Sequence, residues 1–142
     1  MSKRRFHNDR GFTLMELMIV IAILALLGSV VVTNLLPQYD GAQIRKVHTD
    51  IATLSAALDT YRLDNGDYPD TDVGLLALVQ APESARNWQQ GGYIKKLSKD
   101  PWGKDYQYLY PGEHGEFDIY SLGRDGAPGG DGVDADIGSW DE

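Results

Sequence analysis

Apolar side chains run almost unbroken from Leu17 to Val32, where only Gly28 and Ser29 depart from the pattern. The stretch Phe12 to Leu36 makes twenty-five residues with a single charge, Glu16. At a rise of about 1.5 Å per residue, a helix of that length crosses a hydrocarbon core of about 30 Å, so the pattern predicts a retained membrane span. Pro37-Gln38-Tyr39-Asp40-Gly41 interrupts it and predicts a kink or a local loosening. Beyond this break the periodicity changes. Ile44, Val47, Ile51, Leu54, Leu58 and Tyr61 recur at alternating intervals of 3 and 4, with Arg45, Lys46, Asp50, Thr53 and Asp59 on the rest of the cylinder. Such a stripe requires a covering surface. Asn65-Gly66 supplies the stop, so the chain predicts one long helix from about residue 13 to residue 64.

Downstream the pattern shortens. Val73 to Gln80 is a short helical candidate stopped before Pro82, and Gly91-Gly92 marks a turn. Residues 105–110 alternate, with Tyr106, Tyr108 and Tyr110 on one face and Gln107 and Leu109 on the other. Residues 116–121 alternate as well, with Phe117 and Ile119 sharing a face, and 111–115 reads as the hairpin loop between them. The expected fold class is α+β: a long N-terminal helix packed on a small antiparallel β-sheet. Gly123 to Glu142 is rich in Gly and Asp and too poor in apolar residues to build its own core. The organisation predicted is a leader at 1–11, an apolar helix at 12–36, and a folded domain at 37–142. That domain divides into an amphipathic helix half (37–64), a loop with a short helix (65–104), a hairpin (105–121) and a C-terminal loop and tail (122–142).

Charge and composition orient this plan. The 142-residue chain carries a formal charge of -8; Lys3, Arg4, Arg5 and Arg10 against Asp9 make the leader +3, so its removal leaves -11. Positive charge before the apolar run places the N-terminus in the cytoplasm and the remainder outside. An acidic exported surface argues against nucleic acid as a partner. The absence of cysteine removes disulfides as a staple for a small exported domain, so another is expected. A cleaved secretory signal competes with the retained span, but Ala25, Gly28 and Ser29 do not supply a clean pair of small residues after the apolar run.

Two constellations carry chemistry. Glu16 sits near the start of the apolar segment, where a carboxylate costs somewhat less than the roughly 2.5–3.5 kcal/mol of the bilayer centre. Either a neighbouring cation in an assembly offsets that cost or the carboxylate favours the positive end of its own helix. Further on, Asp125, Asp131, Asp134 and Asp136 are interleaved with glycines. Calcium takes six to eight oxygens, and a glycine-rich chain can fold carboxylates and carbonyls around one centre, although this spacing is not that of an EF-hand. A solvated acidic loop is the alternative. His7, His48 and His114 are scattered, which leaves no zinc triad, and they read as surface residues. Ser121 and Ser139 lack the surroundings of a hydrolase nucleophile. Trp88, Trp102 and Trp140 read as core or edge packing, and Asp100-Pro101-Trp102-Gly103 as a turn into the first strand. Lys95 and Lys96 form a patch too small to imply more than solubility or a subunit contact.

Gly11-Phe12-Thr13-Leu14-Met15-Glu16 after a short cationic leader resembles the type IV pilin-like class. The strings Asp64-Asn65-Gly66-Asp67-Tyr68-Pro69, Gly91-Gly92-Tyr93-Ile94, Asp100-Pro101-Trp102-Gly103 and Ser121-Leu122-Gly123-Arg124-Asp125-Gly126 narrow it. Together they resemble the major pseudopilins of type II secretion systems, the general secretion pathway protein G family, over nearly the whole chain. The leader is shared across the wider class; the last two strings are the more particular.

The resemblance implies a non-enzymatic subunit of a periplasmic fibre anchored at the inner membrane, which helps drive folded proteins across the outer membrane. Cleavage is expected between Gly11 and Phe12 by a prepilin peptidase that also methylates Phe12, with Glu16 as the assembly glutamate. Expected partners are further copies of the chain, minor pseudopilins, the inner-membrane assembly platform and membrane lipid. The resemblance also implies Ca2+ in the C-terminal loop. Asp125 matches its aspartate, Leu122 a carbonyl donor and Asp136 the closing acidic region, while the choice among Asp131, Asp134 and Asp136, and Val133 as a carbonyl donor, stays open. One departure is visible: relatives often carry a proline at the position of Thr33, whereas this chain has Pro37. A type IV pilin or a minor pseudopilin is the alternative within the class, and a membrane-anchored periplasmic binding protein or enzyme the alternative outside it.

Overall fold

The computed structural model describes residues 11–141, those at 30–36 by their backbone alone, so the leader expected at 1–11 lies, but for Gly11, outside the described residues. Helix α1 runs over Leu14–Asn65 with Pro37 inside it. Its start is set by Thr13, whose side-chain oxygen accepts the Glu16 N–H at 3.2 Å, as an N-cap does. Its end is set by Gly66, which adopts φ +93° and donates its N–H to Arg62 O at 2.7 Å.

Two compact units divide the chain, residues 1–39 and 40–142. In the first, the side chains from Phe12 to Leu27 present an exposed apolar surface, with Leu14 the most exposed at 80%. Among the described residues no helix is both long and apolar enough to cross a membrane. The expected span over 12–36 includes 30–36, whose side chains lie outside the described residues.

In the second unit the predicted stripe is the core-facing side of the helix: Val47, Ile51, Leu54, Leu58 and Tyr61 are buried, with Ile44 partly buried at the margin. It packs among Leu75, Ala77 and Leu78, and with Tyr106, Ile119 and Ile137 from the sheet region. Full burial of a side chain such as Leu58 or Ile119 contributes about 1.5–3 kcal/mol. Polar ties fix the helix as well: Tyr106 donates its hydroxyl to Asp50 at 2.7 Å, and Lys46 pairs with the same carboxylate.

The sheet has three strands in the order β1-β2-β3, all antiparallel: Gln107–Leu109, Asp118–Ser121 and Ile137–Gly138. Tyr108 pairs with Ile119, and Ser121 with Ile137. Both predicted strands are present but shorter than the alternating patterns. The residues trimmed from their facing ends widen the hairpin loop, whose N–H groups at Glu113 and His114 turn inward to the Asp118 carboxylate instead of extending the ladder.

Two expectations need correction. The 73–80 helix is a single 3-10 segment, Gly74–Leu78, begun by Gly74 at φ +62° with no side-chain cap from Val73. The C-terminal stretch is more than loop and tail: it contributes β3, a 3-10 turn at Gly132–Asp134, and buried Val133 and Ile137. His114 is exposed, as expected of it, and its ring also pairs with Asp118 at 3.0 Å and stacks on Trp140 at 4.1 Å.

Candidate functional site

The acidic loop is suspended between β2 and β3 and rests on a buried hub. Asp100, 4% exposed, accepts the N–H of Trp102 at 3.0 Å and of Lys104 at 2.8 Å through Oδ1. Its Oδ2 accepts the hydroxyl of fully buried Ser121 at 2.7 Å, and Ser121 Oγ in turn accepts the Gly123 N–H at 3.2 Å. Lys104 reaches over the same turn and donates Nζ to Arg124 O at 2.6 Å, its stem lying where a Cβ on Gly126 would collide. The Asp-Pro-Trp-Gly and Ser-Leu-Gly-x-Asp-Gly strings are thus two sides of one hydrogen-bonded joint.

Beyond the joint the two arms of the loop touch backbone to backbone. Gly130 adopts φ +93°, and a Cβ there would lie 2.3 Å from Asp134 O. Arg124 N–H donates to Val133 O at 2.8 Å across the same gap. The predicted metal residues are therefore brought into one loop but do different things. Asp125 Oδ1 accepts the Ala127 N–H at 3.1 Å, and Asp134 is clasped by the Arg124 guanidinium. Asp131 is exposed at the head of the 3-10 turn, and Leu122 is half-buried beside the joint.

Asp136 stands apart. Its Oδ2 accepts the Gly129 N–H at 2.9 Å, while its Oδ1 is buried with no hydrogen-bond partner. An orphaned buried carboxylate oxygen suits a hard cation, because such an atom otherwise bears its full desolvation cost. Among the described residues no group of three His, Cys, Asp or Glu side chains is gathered to hold a metal. A cation here would draw on backbone carbonyls as much as on carboxylates.

Nearby, burial alone would raise the Asp118 carboxyl, but the His114 ring and the N–H groups of Glu113 and His114 hold it below its ordinary value. This anchors the hairpin loop beside the C-terminal segment.

At the other end of the chain, Thr13 and Glu16 stand in the spacing of a capping box, with Glu16 at the third helical position. The Glu16 side chain is exposed, as are Gly11 and Phe12. Sequence reasoning missed Thr13, although Thr-x-x-Glu before an apolar run is its signal. It also missed Asp100, which it read as a turn residue alone.

Comparison with known proteins adds the following. Residues 34–140 match the family described as type II secretion system, protein G, and residues 6–32 match the prokaryotic N-terminal methylation motif. The type II secretion system core protein G of Vibrio cholerae is 52% identical over 139 residues, covering 96% of this chain and 95% of that relative. The protein of the same description from Pseudomonas aeruginosa is 51% identical over 137 residues, covering 94% of this chain and 96% of that relative. Among solved structures, the major pseudopilin from the type 2 secretion system of enterohaemorrhagic Escherichia coli superposes with a TM-score of 0.67 at 47% identity, covering 75% of this chain and 94% of that one.

Proposed function

The chain belongs to the type II secretion system protein G family, and from that premise we propose that it polymerises into the periplasmic fibre of that system after cleavage between Gly11 and Phe12. The observation that carries this reading is the exposed apolar surface from Phe12 to Leu27 beginning at a capped helix end. An isolated soluble molecule gains nothing from such a surface. Lipid covers it before assembly, and neighbouring copies cover it afterwards.

In this reading residues 12–36 cross the inner membrane until the assembly platform extracts them, and the folded unit stays in the periplasm. Extraction from lipid gains little hydrophobic energy, so the platform must supply work. Hydrolysis between Gly11 and Phe12 leaves a free α-amine on Phe12, which is then methylated by the same peptidase from a methyl donor, and Glu16 of an adjacent copy pairs with it. The pairing sets axial register, since each charge is costly in apolar surroundings without the other. Minor pseudopilins cap or initiate the same packing.

Calcium is the staple proposed for the loop. Asp136 and Asp125 would hold it with carbonyls such as Leu122 O, and Asp131, Asp134 and Val133 remain the further candidate donors. The ion would supply positive charge to a segment that otherwise concentrates four aspartates.

Glu16→Ala tests the assembly reading. The variant should be cleaved and methylated normally, as mass spectrometry of the membrane-extracted chain would show, and should fail to form fibres or support secretion. Wild-type fibre yield from this variant would refute it. Mass spectrometry of the native chain tests the processing directly, because a chain that retains residues 1–11 while secretion runs would refute cleavage between Gly11 and Phe12 and the assembly that follows from it.

A further inference from the structure

Arg124 occupies two of the groups expected to serve a cation. Its Nε donates to Asp134 Oδ1 and its Nη2 to Asp134 Oδ2, each at 2.9 Å, so both carboxylate oxygens are taken by one planar fork. Its own N–H donates to Val133 O at 2.8 Å. The pair is half open to water, with the Arg124 side chain 58% and the Asp134 side chain 35% exposed. Asp136 Oδ1, by contrast, is buried and unpartnered.

We propose that Arg124 is a tethered competitor of calcium: without the ion it neutralises Asp134 and clamps the two arms of the loop, and calcium that recruits Asp134 must displace it. This rests on the calcium reading above. A guanidinium and a divalent cation cannot share both oxygens of one carboxylate at full strength, and the guanidinium adds like charge beside the ion. Capture therefore begins at the free Asp136 oxygen and is completed when Arg124 swings outward, which its exposure permits. The loop has two ordered states, one closed by the chain's own cation and one by a metal. Calcium affinity is set by the difference between them.

Calorimetric titration of calcium into the full-length chain in detergent tests this, using wild type, Arg124→Gln, Arg124→Lys, Asp134→Asn and Asp136→Asn. Arg124→Gln should bind about 1.5-fold to fivefold more tightly than wild type, the range a partly exposed ion pair supports. Arg124→Lys, which keeps the charge and loses the fork, should fall between them. The ratio should shrink towards one at high salt, which screens the pair, and replacing Arg124 in the Asp134→Asn background should have a clearly smaller effect, because only the like charge is left to remove. Equal or weaker binding by Arg124→Gln, with Asp136→Asn still abolishing binding, would overturn the competition alone. No calcium heat from wild type and Arg124→Gln would overturn the calcium reading and this proposal with it, whereas full affinity in Asp136→Asn would overturn capture at Asp136 and so this proposal alone.

Discussion

Replacing Asp100 by Ala should disable the joint beneath the acidic loop more severely than any change within the loop. The substitution removes the acceptor of three hydrogen bonds, from Trp102 N, Lys104 N and Ser121 Oγ, at 3.0, 2.8 and 2.7 Å. A hydrogen bond to a charged group contributes about 1.5–3 kcal/mol, and a buried donor left without a partner costs about 1–3 kcal/mol. The Trp102 and Lys104 N–H groups regain water if the turn opens, whereas Ser121, with 0% exposure, does not. The loss should therefore be about 3–5 kcal/mol, below the full sum. For a folded unit of this size that lowers the melting temperature by at least about 12 °C. Guanidinium titration of the full-length chain followed by tryptophan fluorescence reads it directly. A double-mutant cycle with Ser121→Ala should return a coupling of about 1.5–3 kcal/mol. A loss under about 1 kcal/mol, or strict additivity, would show that Asp100 is not the hub.

Three further outcomes are expected. Asp118 is held below its unfolded value, so its stabilising contribution is complete above the ordinary carboxylate range and disappears as pH falls through the folded value; the melting temperature should drop below about pH 4, and Asp118→Asn should flatten that acid limb of a pH series. Gly130→Ala places a Cβ 2.3 Å from Asp134 O at a left-handed φ, and should cost about 2 kcal/mol or more in denaturant titration, whereas Gly129→Ala, with open space around its Cβ, should cost less. Chelation should lower the melting temperature of the unmutated chain and leave Asp136→Asn unmoved; identical melting with and without chelator would remove calcium from the account.

The helix was the most legible element, because a stripe at intervals of 3 and 4 over five turns has no competing interpretation, and its buried members are those the spacing selects. Ala57 joins the core unannounced, being too small to weigh in a hydrophobic pattern. The Tyr106, Tyr108, Tyr110 alternation found the sheet, but β3 escaped: two residues within a Gly- and Asp-rich stretch carry no periodicity, and only pairing to β2 makes Ile137–Gly138 a strand. The short helix was overextended because apolar composition does not distinguish an α-helix from a 3-10 segment. At the loop, the aspartates were visible as residue types, whereas their division of labour was not. Which carboxylate meets Arg124, which turns inward, and that Asp100 lies underneath all depend on contacts spanning ten or more residues, as Arg124 to Asp134 and Asp100 to Ser121 do.

The cap at Thr13 and the greasy side chains that follow it contribute nothing to the core of the folded unit, whose buried members begin at Val47. If the fibre forms as proposed, stability and cohesion are therefore written in separate stretches of sequence. In the proposed fibre, substitutions within residues 12–27 would tune the grip between copies without touching the buried side chains of the folded unit, and a defect in that grip would pass unnoticed in any screen that scores only whether the polypeptide is made and intact.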